Sequence, residues 1–123
     1  MQEIDRTVLS IIQGGVGNKR IIDLNIQKGV LSINGQNETV IFEIETEYLY
    51  SQVDREVESG GLTMITNQDG SIYNVVITAN YSEYDLTFND ENSIHRITEA
   101  PTSYRISIEN KGGDKTKINF IIS

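Results

Sequence analysis

The stretch Thr39-Val-Ile-Phe-Glu-Ile-Glu-Thr-Glu-Tyr48 sets the reading of the whole chain. Phe42 and Ile44 alternate with Glu43, Glu45 and Glu47, a period of two that no helix can turn into one apolar face. The run therefore reads as a half-buried strand, with Phe42 and Ile44 inward and the glutamates in water. The same period extends outward in both directions. Ile22, Leu24 and Ile26 alternate with polar neighbours from Arg20 to Ile26, and Val30 to Ile33 forms a short strand before the hairpin signal Asn34-Gly35. Further strands are expected at Leu62–Thr66, Ser71–Asn80, Tyr84–Phe88, Ile94–Thr98, Tyr104–Glu109 and Thr116–Ile122. Glycine and asparagine turns separate them: Gly60-Gly61, Asp69-Gly70, Asn89-Asp90 and Gly112-Gly113. Turns recurring every ~8–12 residues imply an antiparallel β-sandwich of roughly seven to nine strands. Pro101 lies between two strands, where it removes no ladder hydrogen bond.

Only the first segment departs from this period. Ile4, Val8, Ile11 and Ile12 fall at i, i+4, i+7 and i+8, one stripe of a short helix, with Glu3, Asp5 and Arg6 elsewhere around it. Gly14, Gly15 and Gly17 end that helix. The chain thus divides into an amphipathic helix and glycine hinge over 1–17 and a β-sandwich over 18–123. A weak internal repeat runs through the sandwich. Gly29-Val-Leu-Ser-Ile33 with Ile41-Phe-Glu-Ile44 resembles Gly60-Gly-Leu-Thr-Met64 with Ile72-Tyr-Asn-Val75, at a constant offset of 31 residues (29 to 60, 41 to 72). Either β-patterning produces it by coincidence, or it marks two similar hairpins, one per sheet.

Composition narrows the functional classes. Eighteen acidic against ten basic side chains leave a net charge of -8 in 123 residues. Such a surface repels phosphate backbones and anionic membranes, so neither nucleic acid nor a lipid face is an expected partner. Nineteen isoleucines supply a core for one domain. The absence of cysteine excludes disulfides, thiolate metal sites and thiol nucleophiles. The longest apolar runs, such as Ile118–Ile122, fall far short of the ~20 residues a membrane helix needs.

Candidate sites are few. His95, the single histidine, has no nucleophile beside it in sequence and alternates with apolar positions as an outward strand residue would. Asp85, Asp90 and Glu91 crowd one turn and offer oxygens to a hard cation such as calcium, without the spacing of a dedicated loop. Tyr48, Tyr50, Tyr81 and Tyr84 lie near strand ends, where a ring packs while its hydroxyl reaches water, or where it could serve a sugar or peptide. Asn37-Glu-Thr and Asn80-Tyr-Ser match the N-glycosylation acceptor rule, which makes Asn37 and Asn80 candidate glycan sites. Phosphate loops, nucleophile elbows and zinc-protease motifs are missing, and neither an enzyme nor a cofactor is expected.

The order of features resembles the ectodomains of archaeal type IV pilin-like and related cell-surface proteins. The residues that carry the likeness are the helix Ile4–Ile12, the Gly14-Gly-Val-Gly17 break, and the opening strand Arg20–Ile26. Gly29–Ile33, Gly60–Thr63, Ile72–Val75, Tyr104–Asn110 and Ile118–Ile122 complete it. The resemblance implies an extracellular structural or interaction domain, anchored through a membrane helix upstream of residue 1. Its partners would be other surface or pilus subunits, or further copies of itself. The competing expectation is a soluble secreted module that recognises a sugar, a peptide or a calcium-dependent partner.

Overall fold

A computed structural model describes residues 1–47, 53–54, 56–59 and 61–122. The apolar stripe forms helix α1 (Gln2–Gly14), and the chain turns away at Gly15. Ten strands follow: β1 (Lys19–Leu24), β2 (Val30–Asn34), β3 (Thr39–Thr46), β4 (Val57–Ser59), β5 (Leu62–Asp69), β6 (Ile72–Asn80), β7 (Asp85–Phe88), β8 (Ile94–Thr98), β9 (Tyr104–Gly112) and β10 (Lys117–Ile122). They build a four-stranded sheet in the order β1-β9-β10-β7 and a six-stranded sheet in the order β4-β5-β6-β3-β2-β8. The expected sandwich is present, with one strand more than the upper end of the anticipated count. That strand is β4, three residues long, whose Val57-Glu58-Ser59 is too short to display an alternation.

Two further details differ from expectation. Among the described strands all pairs are antiparallel but one: β7 runs parallel to β10. β7 follows β6 through the tight turn at 81–84, where the Tyr84 N–H donates to the Tyr81 carbonyl at 2.8 Å. That turn carries the chain into the other sheet, so β7 is not hairpin-paired with β6 and lies along β10 instead. The repeated hairpins β2–β3 and β5–β6 lie side by side in the six-stranded sheet, joined through β3 and β6, and not one in each sheet.

Alternation is retained where it was read. Val40, Phe42, Ile44 and Thr46 share one face of β3, and Glu43 and Glu45 are exposed on the other. The core between the sheets takes Ile106, Ile108, Ile118, Phe120 and Leu86 from the smaller sheet, and Leu31, Ile33, Val40 and Ile97 from the larger. Ile4, Val8 and Ile11 of α1 belong to this same core, together with Leu62 of β5 and Ala79 of β6. Burying each such side chain is worth roughly 1.5–3 kcal/mol.

Polar contacts fix the helix in place. The Tyr81 hydroxyl donates to Asp5 Oδ1 at 2.6 Å, and both residues are buried, at 4% and 9% exposure. Asp5 therefore leaves the solvent face that its position beside Glu3 and Arg6 implied. Desolvation and the neighbouring carboxylate push the Tyr81 phenol far above its ordinary pKa, so it remains a donor. At the other end, Asn110 Nδ2 donates to the Ile11 carbonyl at 3.2 Å, satisfying one of the acceptors a helix C-terminus leaves open. The Gly17 N–H donates to the Asn110 carbonyl at 2.8 Å, which ties the glycine turn to β9.

Two substitutions separate an integral helix from an appended one. Ile11→Ala is expected to cost ~2–5 kcal/mol in urea unfolding, against a few tenths for the exposed Leu9→Ala. Tyr81→Phe should cost about 1–3 kcal/mol by leaving the Asp5 carboxylate without its donor. A Tyr81→Phe/Asp5→Ala cycle should then show coupling above ~0.5 kcal/mol.

Candidate functional site

An apolar cleft opens where the N-terminal end of α1, the β1–β2 connection and β3 converge. Met1, Ile4, Leu24, Ile26, Leu31, Phe42 and Ile44 form its apolar floor, with Asn25, Gln27 and Lys28 at the rim, around a volume of about 400 Å³. Gly29 holds the rim loop close. Its φ is +101°, and a Cβ there would lie 2.6 Å from the Glu43 carbonyl oxygen and 2.9 Å from the Phe42 ring. Neither a nucleophile nor a paired acid and base lines this cleft. Its chemistry is that of contact, an apolar surface beside two amides and one ammonium.

The turn singled out for its carboxylates is built as a brace. Asn92 Nδ2 donates to Asp85 Oδ1 at 2.7 Å, to the Leu86 carbonyl at 2.9 Å and to the Gly35 carbonyl at 3.1 Å, so one amide joins β7 to the β2–β3 turn. Asp90 lies in the left-handed region at φ 64° and pairs with Lys111 at 2.7 Å. Glu91 is exposed, and its backbone closes the turn on Phe88. Asp85, Asp90 and Glu91 thus have separate roles, and among the described residues no three acidic or histidine side chains gather closely enough to hold a metal ion. Asn119, wholly buried in β10, accepts from the Thr87 hydroxyl at 2.7 Å and the Asp90 N–H at 2.8 Å, and its own Nδ2 finds no acceptor.

His95 is half-buried and points between the sheets, not outward. It shares the inner parity of β8 with Ile97, while Ile94 is 52% exposed. Its ring stacks on Phe88 with centroids 3.9 Å apart and planes 6° from parallel, pinning β8 to β7 across the sandwich. Tyr81 is buried, Tyr84 is half-buried against the core, and Tyr48 and Tyr50 lie outside the described residues. Asn37 and Asn80 are both exposed. They sit at one end of the six-stranded sheet, since the Tyr81 N–H donates to the Glu38 carbonyl at 2.8 Å. Asn80 Oδ1 accepts the Ser82 N–H at 2.9 Å.

The β2–β3 turn that carries Asn37 is tighter against its surroundings than Asn34-Gly35 alone implied. Gly35 is required by proximity: a Cβ there would meet the Leu86 carbonyl oxygen at 2.7 Å. Glu38 takes the left-handed conformation at φ 56°, and its Oε2 is buried without a hydrogen bond. Desolvation and then Asp85 raise its carboxyl pKa above the ordinary range, against the opposing pull of Lys115 and a bond from the Leu86 backbone. The sequence carried no sign of this, since the turn brings Glu38 to Asp85 from the opposite sheet.

Comparison with protein-family models, with curated proteins and with solved structures returned no match.

Because the folded-state pKa of Glu38 is raised, its contribution to stability is fully present below the ordinary carboxylate pKa of about 4.3 and is lost as pH rises through the folded value. Glu38→Gln should therefore raise the melting temperature at neutral pH, and the advantage should vanish on acidification. Melting curves of both proteins from mildly acidic to neutral pH check this; a gap independent of pH would refute it.

Proposed function

We propose that this chain is a non-catalytic structural or interaction domain, pilin-like in its order of helix and β-sandwich, that is displayed at a cell surface. The observation that supports it is the absence, among the described residues, of any gathering of His, Asp and Glu side chains fit for metal chemistry. In its place the acidic and amide groups are spent on bracing: Asp5 on Tyr81, Asp85 on Asn92, Asp90 on Lys111. Surface display comes from the resemblance to archaeal pilin-like ectodomains, in which a helix runs into a compact β head. No described helix is long and apolar enough to cross a membrane, so display would rest on a segment upstream of residue 1. The partners are then other surface or pilus subunits.

A second reading, a secreted binding module, draws on the apolar cleft between α1, the β1–β2 connection and β3. A small ligand seated there would stabilise the native state and raise its melting temperature.

Protease treatment of intact cells that carry the native gene tests display. Loss of the domain's antibody signal without lysis is the expected result, and protection until lysis would overturn it. A calcium titration followed by melting tests the calcium-dependent form of the second reading, and no shift is expected.

A further inference from the structure

β1 ends the four-stranded sheet, and its far edge pairs with no described strand. The hydrogen-bond phase along it is fixed by Asn110, whose N–H donates to the Asn18 carbonyl at 2.9 Å. Antiparallel pairs alternate, so Arg20↔Ile108, Ile22↔Ile106 and Leu24↔Tyr104 exchange bonds with β9. Lys19, Ile21 and Asp23 therefore turn their N–H and C=O groups to the open edge. The side chains of the same three residues are exposed, Ile21 at 57%. Helix α1 packs on β1 and β9 through its core-facing stripe and lies on the other face.

We propose that two copies of this chain associate through β1, antiparallel about a two-fold axis at Ile21, to make one continuous eight-stranded sheet. A two-fold axis perpendicular to a sheet keeps each side chain on its own face, so only registers pairing residues of equal parity are allowed. Centred on Ile21, the pairing uses every outward group of Lys19, Ile21 and Asp23. It sets Ile21 against the second copy's Ile21, and each Lys19 ammonium across from an Asp23 carboxylate. Sliding by two residues in either direction loses bonds and sets Ile21 against a charge. The sequence Lys19-Arg-Ile-Ile-Asp23 is thus complementary to itself in one register, and opposite charges across a pair favour it.

The other edges lack this property. On β8 the Gly35 N–H donates to the Ser93 carbonyl at 2.8 Å, so Ile94, Arg96 and Thr98 face outward. A two-fold pairing centred there would set Arg96 against Arg96, the like-charge contact that keeps natural edges apart. β7 is capped by Asn92 on the Leu86 carbonyl, and β4 is three residues long. Among described edges, β1 alone is open and self-matching. The proposal names a second copy as partner for the non-catalytic role. It rests on that reading only for where the dimer would act, because its test uses purified protein.

Sedimentation equilibrium over a dilution series at physiological ionic strength, where charges beyond about 8 Å are screened, should show a monomer–dimer equilibrium. Asp23→Lys should abolish the dimer by placing Lys19 against a lysine, and Lys19→Asp should do so by placing two carboxylates together. The double variant Lys19→Asp/Asp23→Lys should restore it. Asp23 makes an exposed 3.7 Å contact with Arg105 and Lys19 stands opposite Glu109 on β9, so each variant should melt slightly below the wild type, and melting curves verify that all remain folded. A spin label on Ile21→Cys should broaden as concentration rises, and one on Ile94→Cys should not. A monomer at every concentration, or a dimer indifferent to Asp23→Lys, would overturn the proposal and leave the cell-surface reading to its own protease test.

Discussion

A six-stranded sheet presents more apolar surface than a four-stranded sheet can cover, and this mismatch governs the rest of the molecule. Strands β5 and β6 bring Leu62 and Ala79 into the core. The helix makes up the difference by contributing Ile4, Val8 and Ile11. A helix used in this way must also satisfy its polar groups inside the protein. Asp5 meets the Tyr81 hydroxyl near one end, and the Ile11 carbonyl meets Asn110 near the other. Burial alone would let the helix slide along its axis; these two bonds fix its position.

The sandwich layers are held together by contacts that cross between sheets rather than by apolar packing alone. Asn92 spans β7 and the β2–β3 turn, His95 stacks on Phe88, and Gly35 allows the turn to touch β7. Acidic side chains that would otherwise face water serve as acceptors in this seam. Glu38 is the exception, since its buried oxygen lacks a donor while Asp85 lies nearby. Together with the Asn119 Nδ2 that finds no acceptor, this makes two such groups among the described residues, a tolerable cost in a fold of this size.

Nearly all strands were legible because Ile, Val and Phe alternate with polar residues, as in Phe42-Glu43-Ile44-Glu45, and alternation is a local property. The helix was legible for the same reason at a different period. What could not be read was whatever depends on two distant segments. Asp5 and Tyr81 are 76 positions apart, and nothing near Asp5 distinguishes it from Glu3 or Arg6. His95 was placed on the wrong face because Ile94 and Ile97 are both apolar and only one can face inward. The carboxylates at Asp85, Asp90 and Glu91 looked like one cluster because they are neighbours in sequence. In space Asp85 meets Asn92, Asp90 meets Lys111 on β9, and Glu91 enters the turn through its backbone alone.

The pairing of β1 with β9 has a consequence for how the chain comes off the ribosome. Lys19–Leu24 must wait for Tyr104–Glu109 before it has a ladder partner, so the smaller sheet cannot close until the final strands emerge. The six-stranded sheet has no such delay beyond β8, and its two hairpins are local. Synthesis therefore passes through a stage in which one sheet is assembled and its inner Val40, Leu31 and Ile33 face water or the loosely held helix. Non-local closure of this kind is slow and leaves apolar surface open to aggregation. The isoleucines of α1 precede both sheets along the chain and share the final core with Val40, Leu31 and Ile33, so they are already synthesised while that surface still waits for β9 and β10.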